Sequence, residues 1–169
     1  MHLKIYPEFD SLTNAAVEDF IGLCNQAIRL RGYFTVSLSG GSTPEPLYLA
    51  LGKRANRSRV DWQNVHLFWG DERPVLPDHP DSNYRMVKET LIDPVGIPDA
   101  NIHRVPAEMD VRLAAFSYEE VLREFFAGEW PCFDLALLGM GEDGHTASLF
   151  PKSAGLTEEH RWFIANYAP

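Results

Sequence analysis

The 169-residue chain predicts an α/β fold: an open, doubly wound, mostly parallel Rossmann-like sheet with helices on both faces. Two observations predict it. Three apolar, β-prone runs, Phe34 to Leu38, Val65 to Trp69 and Phe133 to Leu138, each break directly into glycine and polar residues. Between them lie stretches whose apolar residues recur at three and four, the spacing of amphipathic helices. Near-continuous apolar runs read as strands buried on both faces, the habit of parallel sheets, and the carboxyl ends of such strands line the ligand crevice. The three polar breaks are therefore expected to converge on one site.

The elements follow in order. A short opening strand over Leu3 to Tyr6 leads into a helix from Ser11 to Arg31, with Ala16, Phe20, Leu23, Ala27 and Leu30 on its buried side and Val17, Ile21, Cys24 and Ile28 beside them. Gly32 stops this helix, and the second strand begins at Phe34. After Thr43, Leu47, Leu49, Ala50 and Leu51 mark a helix that ends near Gly52, before the third strand. Pro74, Pro77 and Pro80 stiffen the next loop into an extended excursion. Ser82 or Asp81 caps a helix carrying Tyr84, Met86, Val87 and Leu91, which Asp93-Pro94 ends. A strand over Ile102 to Val105 precedes a helix over Asp110 to Ala127, read with Leu113, Phe116, Val121, Leu122 and Phe125 inward. The strand from Phe133 and a last strand over Trp162 to Ala165 complete the sheet. Right-handed crossovers join the parallel strands.

Composition limits the function. With 45% hydrophobic and 23% charged residues the chain reads as an ordinary globular sequence, and a chain this long can bury about two-thirds of its unfolded surface. It is read as one domain over residues 1–169. No apolar run approaches the ~20 residues of a membrane span, and the N-terminus lacks the apolar stretch of a signal peptide, so the expectation is a cytoplasmic protein. Cys24 and Cys132 have neither metal-ligand nor redox spacing and are read as buried small apolar groups. The formal charge of -9 argues against a nucleic-acid surface, and it means that an anionic ligand needs a locally positive pocket. No residue cluster calls for a metal, and no dinucleotide fingerprint follows the first strand, so neither metal nor nicotinamide cofactor is expected.

The three breaks carry the chemistry. Ser39-Gly-Gly-Ser-Thr-Pro44 lies between a strand and a helix, where free amides and the helix dipole favour an anion. Pro44 and Pro46 lack an N–H, so the donors fall to Gly40, Gly41, Ser42 and Thr43, with glycine allowing close approach. The plain alternative is a capped turn. Gly70-Asp-Glu-Arg73 sets Asp71 and Arg73 at a strand end: a carboxylate can orient an imidazole, and a guanidinium suits a carbonyl or phosphate, though charged residues also populate solvated turns. Gly139-Met-Gly-Glu-Asp-Gly-His145 is the strongest signal, because its glycines permit the tight backbone that holds His145 at the crevice mouth, where imidazole is the natural general base for water. Its bland counterpart is a satisfied structural histidine. His2, His66, His79, His103 and His160 are read as surface or edge residues, and Trp62, Phe68, Trp69 and Phe150 as packing.

Together these motifs, with Asp81-Ser-Asn-Tyr84 and the continuation Thr146-Ala-Ser-Leu-Phe-Pro151, resemble the 6-phosphogluconolactonase family, part of a wider group with the glucosamine-6-phosphate deaminases. The deaminases follow their Gly-His with a segment ending in Asn-Glu-Pro, whereas here Thr146 to Pro151 follows His145 with no carboxylate, and Asp-Glu-Arg stands in place of Asp-Glu-Tyr. The resemblance implies hydrolysis of 6-phospho-D-glucono-1,5-lactone to 6-phosphogluconate in the oxidative pentose phosphate route. It implies that Gly40, Gly41, Ser42 and Thr43 hold the phosphate with Arg85 and Gly144 nearby, and that His145 activates water. Asp71 would orient or support His145, and Arg73 would face the carbonyl oxygen or the phosphate. An aminosugar-phosphate deaminase and a non-catalytic sugar-phosphate sensor are the competing readings. Family members continue past the segment matching Trp162 to Pro169 into a further strand, a helix and basic residues; the chain as written stops at Pro169, as a fragment or a truncated variant. A sheet lacking that strand exposes an edge, which invites self-association, and the expectation is a poorly soluble or weakly active chain.

Overall fold

The computed structural model describes residues 2–167. Helix α1 (Phe9–Arg31) leads into strand β1 (Phe34–Leu38), and α2 (Glu45–Gly52) with the short α3 (Arg54–Arg57) leads to β2 (Val65–Trp69). Then α4 (Asn83–Val87), a π-helical segment (Lys88–Ile92) and α5 (Asp93–Val95) lead to β3 (Ile102–His103), and α6 (Val111–Phe125) leads to β4 (Leu135–Ala136). The strands form one parallel sheet in the order β3-β2-β1-β4. The chain steps outward from β1 to β3 and then crosses back to place β4 beyond β1. The strand order thus reverses between β1 and β4, so the loops leaving these two strands diverge and open a crevice.

Side-chain alternation decides which helix covers which face. Phe34 of β1 meets Phe20 of α1 edge-on at 5.4 Å, and Trp69 of β2 packs against Tyr84 of α4 at 5.6 Å. Phe68, one position out of phase with Trp69, meets Phe125 of α6 at 5.0 Å. Helices therefore lie on both faces, and β1 is buried at every position. The expected doubly wound architecture is present.

Two buried tyrosines fasten the strand ends from which the polar loops depart. The Tyr48 hydroxyl of α2 accepts from the Ser39 amide at 3.2 Å and donates to the Ser39 carbonyl at 2.9 Å. The Tyr118 hydroxyl of α6 does the same at Trp69, at 2.8 and 3.1 Å. Burial raises both phenols well above their ordinary range, so they remain neutral donor-acceptors. A strand end has no further ladder partner, and each phenol satisfies both polar groups of one peptide residue there.

Several expectations are corrected. Leu3 to Tyr6 forms no strand, and Leu3 and Ile5 are exposed. Trp162 to Ala165 is irregular rather than a strand. Alternating or β-prone residues make a strand only where a neighbour offers its free edge, and neither segment pairs with the sheet. β3 and β4 are shorter than read, although Asp134 and Leu137 extend the β4 pairing by donating to the Thr35 and Ser37 carbonyls. β4 is an edge strand and only partly buried. In α1, Leu23 and Leu30 face solvent while Val17, Phe20, Ile21, Cys24 and Ala27 are buried. Helix α6 is rotated from the predicted face: Ala114, Ala115, Tyr118 and Leu122 point inward, and Leu113 and Phe116 are exposed. The Tyr118 bonds to Trp69 fix that rotation.

Asp93-Pro94 does not end its helix. The chain continues through the π turn to Gly96, which adopts the left-handed conformation and donates its amide to the Ile92 carbonyl at 2.9 Å. Proline removes one amide from the helical ladder, and the wider π turn before it absorbs the shift in register. Cys24 is buried and its thiol pushed up to about 12, but Cys132 is exposed. His66 and His103 are not free surface residues: their rings stack, with Nδ1 and Nε2 3.1 Å apart, beside Phe68 and Phe125. No helix among the described residues is long and apolar enough to cross a membrane.

Candidate active site

The three polar breaks meet. A cleft of about 230 Å³ is lined by Ser39 to Pro44 after β1, Asp71 and Arg73 after β2, and Gly139 to Gly141, His145 and Ala147 after β4. It sits where the strand order reverses.

The β1 loop presents free backbone donors to the cleft. Gly41 has φ of +94°, a conformation that a side chain would strain. The amides of Gly40, Gly41 and Ser42 donate to no acceptor among the described residues. Gly40 is required for another reason: a Cβ there would lie 1.8 Å from Asn83 Oδ1. Asn83, at the start of α4, is buried and donates through Nδ2 to the Asp71 carbonyl at 3.0 Å. It therefore locks the β1 loop against the β2 loop. From the sequence, Asp81 to Tyr84 reads as a helix start and a family motif, and Asn83 is given no role in the site.

Glu72, between Asp71 and Arg73, is structural. One carboxylate oxygen accepts from the Asn83 and Arg73 amides, both at 2.8 Å, and the other accepts from the Tyr84 amide at 2.8 Å. It caps α4, as carboxylates at helix N-termini do, together with Ser82, whose hydroxyl accepts from the Arg85 amide at 3.2 Å. Arg73 is the one cationic residue lining the cleft, and its guanidinium forms no ion pair among the described residues.

His145 is built by its own loop. Its Nδ1 lies 2.5 Å from Asp143 Oδ1, its amide donates to the same oxygen at 3.1 Å, and its ring sits 4.7 Å from that of Phe150. The bond to His145 holds the Asp143 carboxyl below its usual value. Gly141 and His145 join through the Gly141 amide and the His145 carbonyl at 2.8 Å, and a Cβ on Gly141 would lie 2.3 Å from the imidazole. Gly144 takes φ of +83° to turn the loop. With Nδ1 engaged by the Asp143 carboxylate, Nε2 is the ring nitrogen with no hydrogen-bond partner among the described residues.

Two predicted placements differ. Asp71 does not hold the imidazole: its carboxylate accepts a 2.6 Å bond from Ser148, and Asp143 takes the place read for it. A residue two positions from a histidine reaches the ring by a local turn, which a reading of strand-end carboxylates overlooks. Arg85 does not line the cleft. It pairs with Glu89 one helical turn on, at 2.7 Å, and donates to the Asp78 carbonyl at 3.2 Å. Among the described residues, no group of three or more His, Cys, Asp or Glu could hold a metal ion.

Comparison with known proteins places the chain among relatives. A 6-phosphogluconolactonase of Synechocystis is 53% identical over 136 residues, 78% of this chain and 55% of that protein. One from Nostoc is 42% identical over 163 residues, 94% of this chain and 66% of that protein. The crystal structure of a 6-phosphogluconolactonase from Shewanella baltica matches with a TM-score of 0.81 at 29% identity, covering 97% of this chain and 70% of that one. That of Thermotoga maritima matches at 0.72 and 34%, covering 82% and 60%. The chain spans between about half and two thirds of the length of these curated relatives. The family model described as glucosamine-6-phosphate isomerases/6-phosphogluconolactonase matches residues 7–169, and the chain belongs to that family.

Proposed function

We propose that this chain carries the water-activating and phosphate-seating part of a 6-phosphogluconolactonase, which hydrolyses 6-phospho-D-glucono-1,5-lactone to 6-phosphogluconate. The observation that supports it most is the placing of an Asp143-supported imidazole and the unpaired amides of Gly40 to Ser42 on one cleft, with Arg73 beside them.

The β1 loop and Arg73 bind the phosphate end of the sugar, and their positive potential offsets a chain of net charge -9. His145 Nε2 takes a proton from a water as its oxygen bonds to the lactone carbonyl carbon. The Asp143 carboxylate stabilises the imidazolium that results. Collapse of the tetrahedral intermediate breaks the bond from that carbon to the ring oxygen, and the imidazolium returns the proton to the departing oxygen. No carboxylate follows His145 in the place where the deaminases carry one, which supports hydrolysis over ring-opening of an aminosugar. The exposed edge of β4 is the route by which the chain would self-associate.

His145→Ala is expected to lower turnover about 10²- to 10⁴-fold while calorimetry with 6-phosphogluconate still shows binding. Wild-type turnover in that variant would remove His145 from the mechanism. Binding of 6-phosphogluconate by the unaltered protein without lactone hydrolysis would favour a sensor.

A further inference from the structure

We propose that Ser148 and Asn83 are positioning residues that set the spacing of the two halves of the site, acting through opposite ends of Asp71. The proposal rests on the lactonase reading and adds to it which residues control turnover and which control affinity.

The three loops of the cleft touch through few polar bonds. Asp71 takes part in two of them. Its backbone carbonyl accepts from Asn83 Nδ2 at 3.0 Å, and its carboxylate accepts from the Ser148 hydroxyl at 2.6 Å. Asn83 in turn abuts Gly40 so closely that no side chain fits between them. The resulting path runs from the phosphate loop through Asn83 and Asp71 to Ser148, three residues beyond His145.

Each end has its own task. His145 is oriented locally by Asp143, Gly141 and Phe150, but those bonds lie within one loop and say nothing about where the loop stands relative to β1. The Ser148 bond supplies that distance. It is held from behind as well: the Ser148 carbonyl accepts from Asn166 Nδ2 at 2.6 Å, and the same amide group donates to the Ser153 hydroxyl at 2.9 Å. Asn83 acts on the other half. It keeps Gly40 in the conformation that leaves the loop amides free for a phosphate.

The two residues should therefore give opposite kinetic signatures. Ser148→Ala is expected to lower kcat about 10- to 100-fold with KM changed less than about threefold, because a base displaced by a fraction of an ångström still leaves the phosphate seat intact. Ser148→Thr, which keeps the hydroxyl, should restore most of kcat. Asn83→Ala should raise KM about tenfold and weaken binding of inorganic phosphate equally, with kcat nearly unchanged. Asn83→Leu, which keeps the side chain's shape but loses the donor to the Asp71 carbonyl, should behave as Asn83→Ala does and serves if that variant fails to fold.

Equal changes in kcat and KM for both variants, or a Ser148→Thr variant as slow as Ser148→Ala, would overturn the proposal. A parent protein without lactone hydrolysis would instead sink the lactonase reading. The placement is then decided by the His145 ring resonances in NMR: Ser148→Ala should shift them and Asn83→Ala should not, and unshifted resonances in Ser148→Ala would end it.

Discussion

Strands β1 and β4 lie side by side and each delivers one half of the site, yet they are held in different ways. β1 is buried at every position, flanked by strands on both sides, and its end is fastened by Tyr48. β4 is an edge strand, with Leu138 and Met140 just beyond it 64% and 83% exposed. The loop after β1 thus grows from the buried core, whereas the His145 loop keeps its shape through its own glycines, Asp143 and the bond from Ser148 to Asp71. Under the proposed function, anion binding falls to the part of the fold with the most hydrophobic support, and proton transfer to a part organised by hydrogen bonds. Rigid seating of the anion suits the first task, and close control of one ring suits the second.

The sharpest way to break this contrast is a pair of truncations. Leu38→Ala in β1 is expected to cost about 2–5 kcal/mol in denaturant unfolding, since it leaves a cavity in a closed core, whereas Leu138→Ala should cost less than about 0.5 kcal/mol. Equal losses would erase the distinction. Next, Gly141→Ala should reduce kcat about 10²-fold or more through the clash with His145 while leaving the melting temperature close to that of the parent. An active Gly141→Ala protein would show that the loop is not held as described.

Tyr118→Phe should destabilise by about 1–3 kcal/mol, because it orphans the buried Trp69 amide and carbonyl at the start of the Asp71 loop. Thermal unfolding measures this. A smaller, pH-dependent effect lies at the far edge of the sheet. Burial, with a contribution from His66, lowers His103 to about 4, and His66 is also lowered by burial. Tyr33 and Phe125 enclose His66, and Phe68 and Phe125 pack on His103. Both imidazoles therefore favour the neutral form in the folded state. Their contribution is complete above the unfolded value near 6.5 and is lost as pH falls from there toward about 4, where the unfolded chain binds protons that the folded one refuses. His103→Phe should flatten the decline in melting temperature over that range, and an unchanged slope would assign it to other groups.

Much of the site was legible in order along the chain. Gly40 to Thr43, Asp71, Arg73 and His145 all line one cleft because parallel strands present their carboxyl ends on one side of the sheet, a property of the strand pattern alone. Asp143 and Asn83 were not legible as site residues. The first reaches His145 through a turn whose glycines could have adopted several shapes, and the second meets Gly40 across 42 residues of intervening chain. Arg85 erred in the opposite direction, since a helical Glu four residues away claims it locally.

By itself, the sequence determined the helices, the buried strands and the residue types available for chemistry, because apolar periodicity and glycine placement act over a few neighbouring positions. Only the tertiary structure decided which carboxylate serves the imidazole, which face of α6 is buried and which apolar segments become strands. Those outcomes depend on contacts between residues far apart in the chain: a hydroxyl that finds a strand end, a free sheet edge that is or is not offered, and a hydrogen bond that one partner takes before another can.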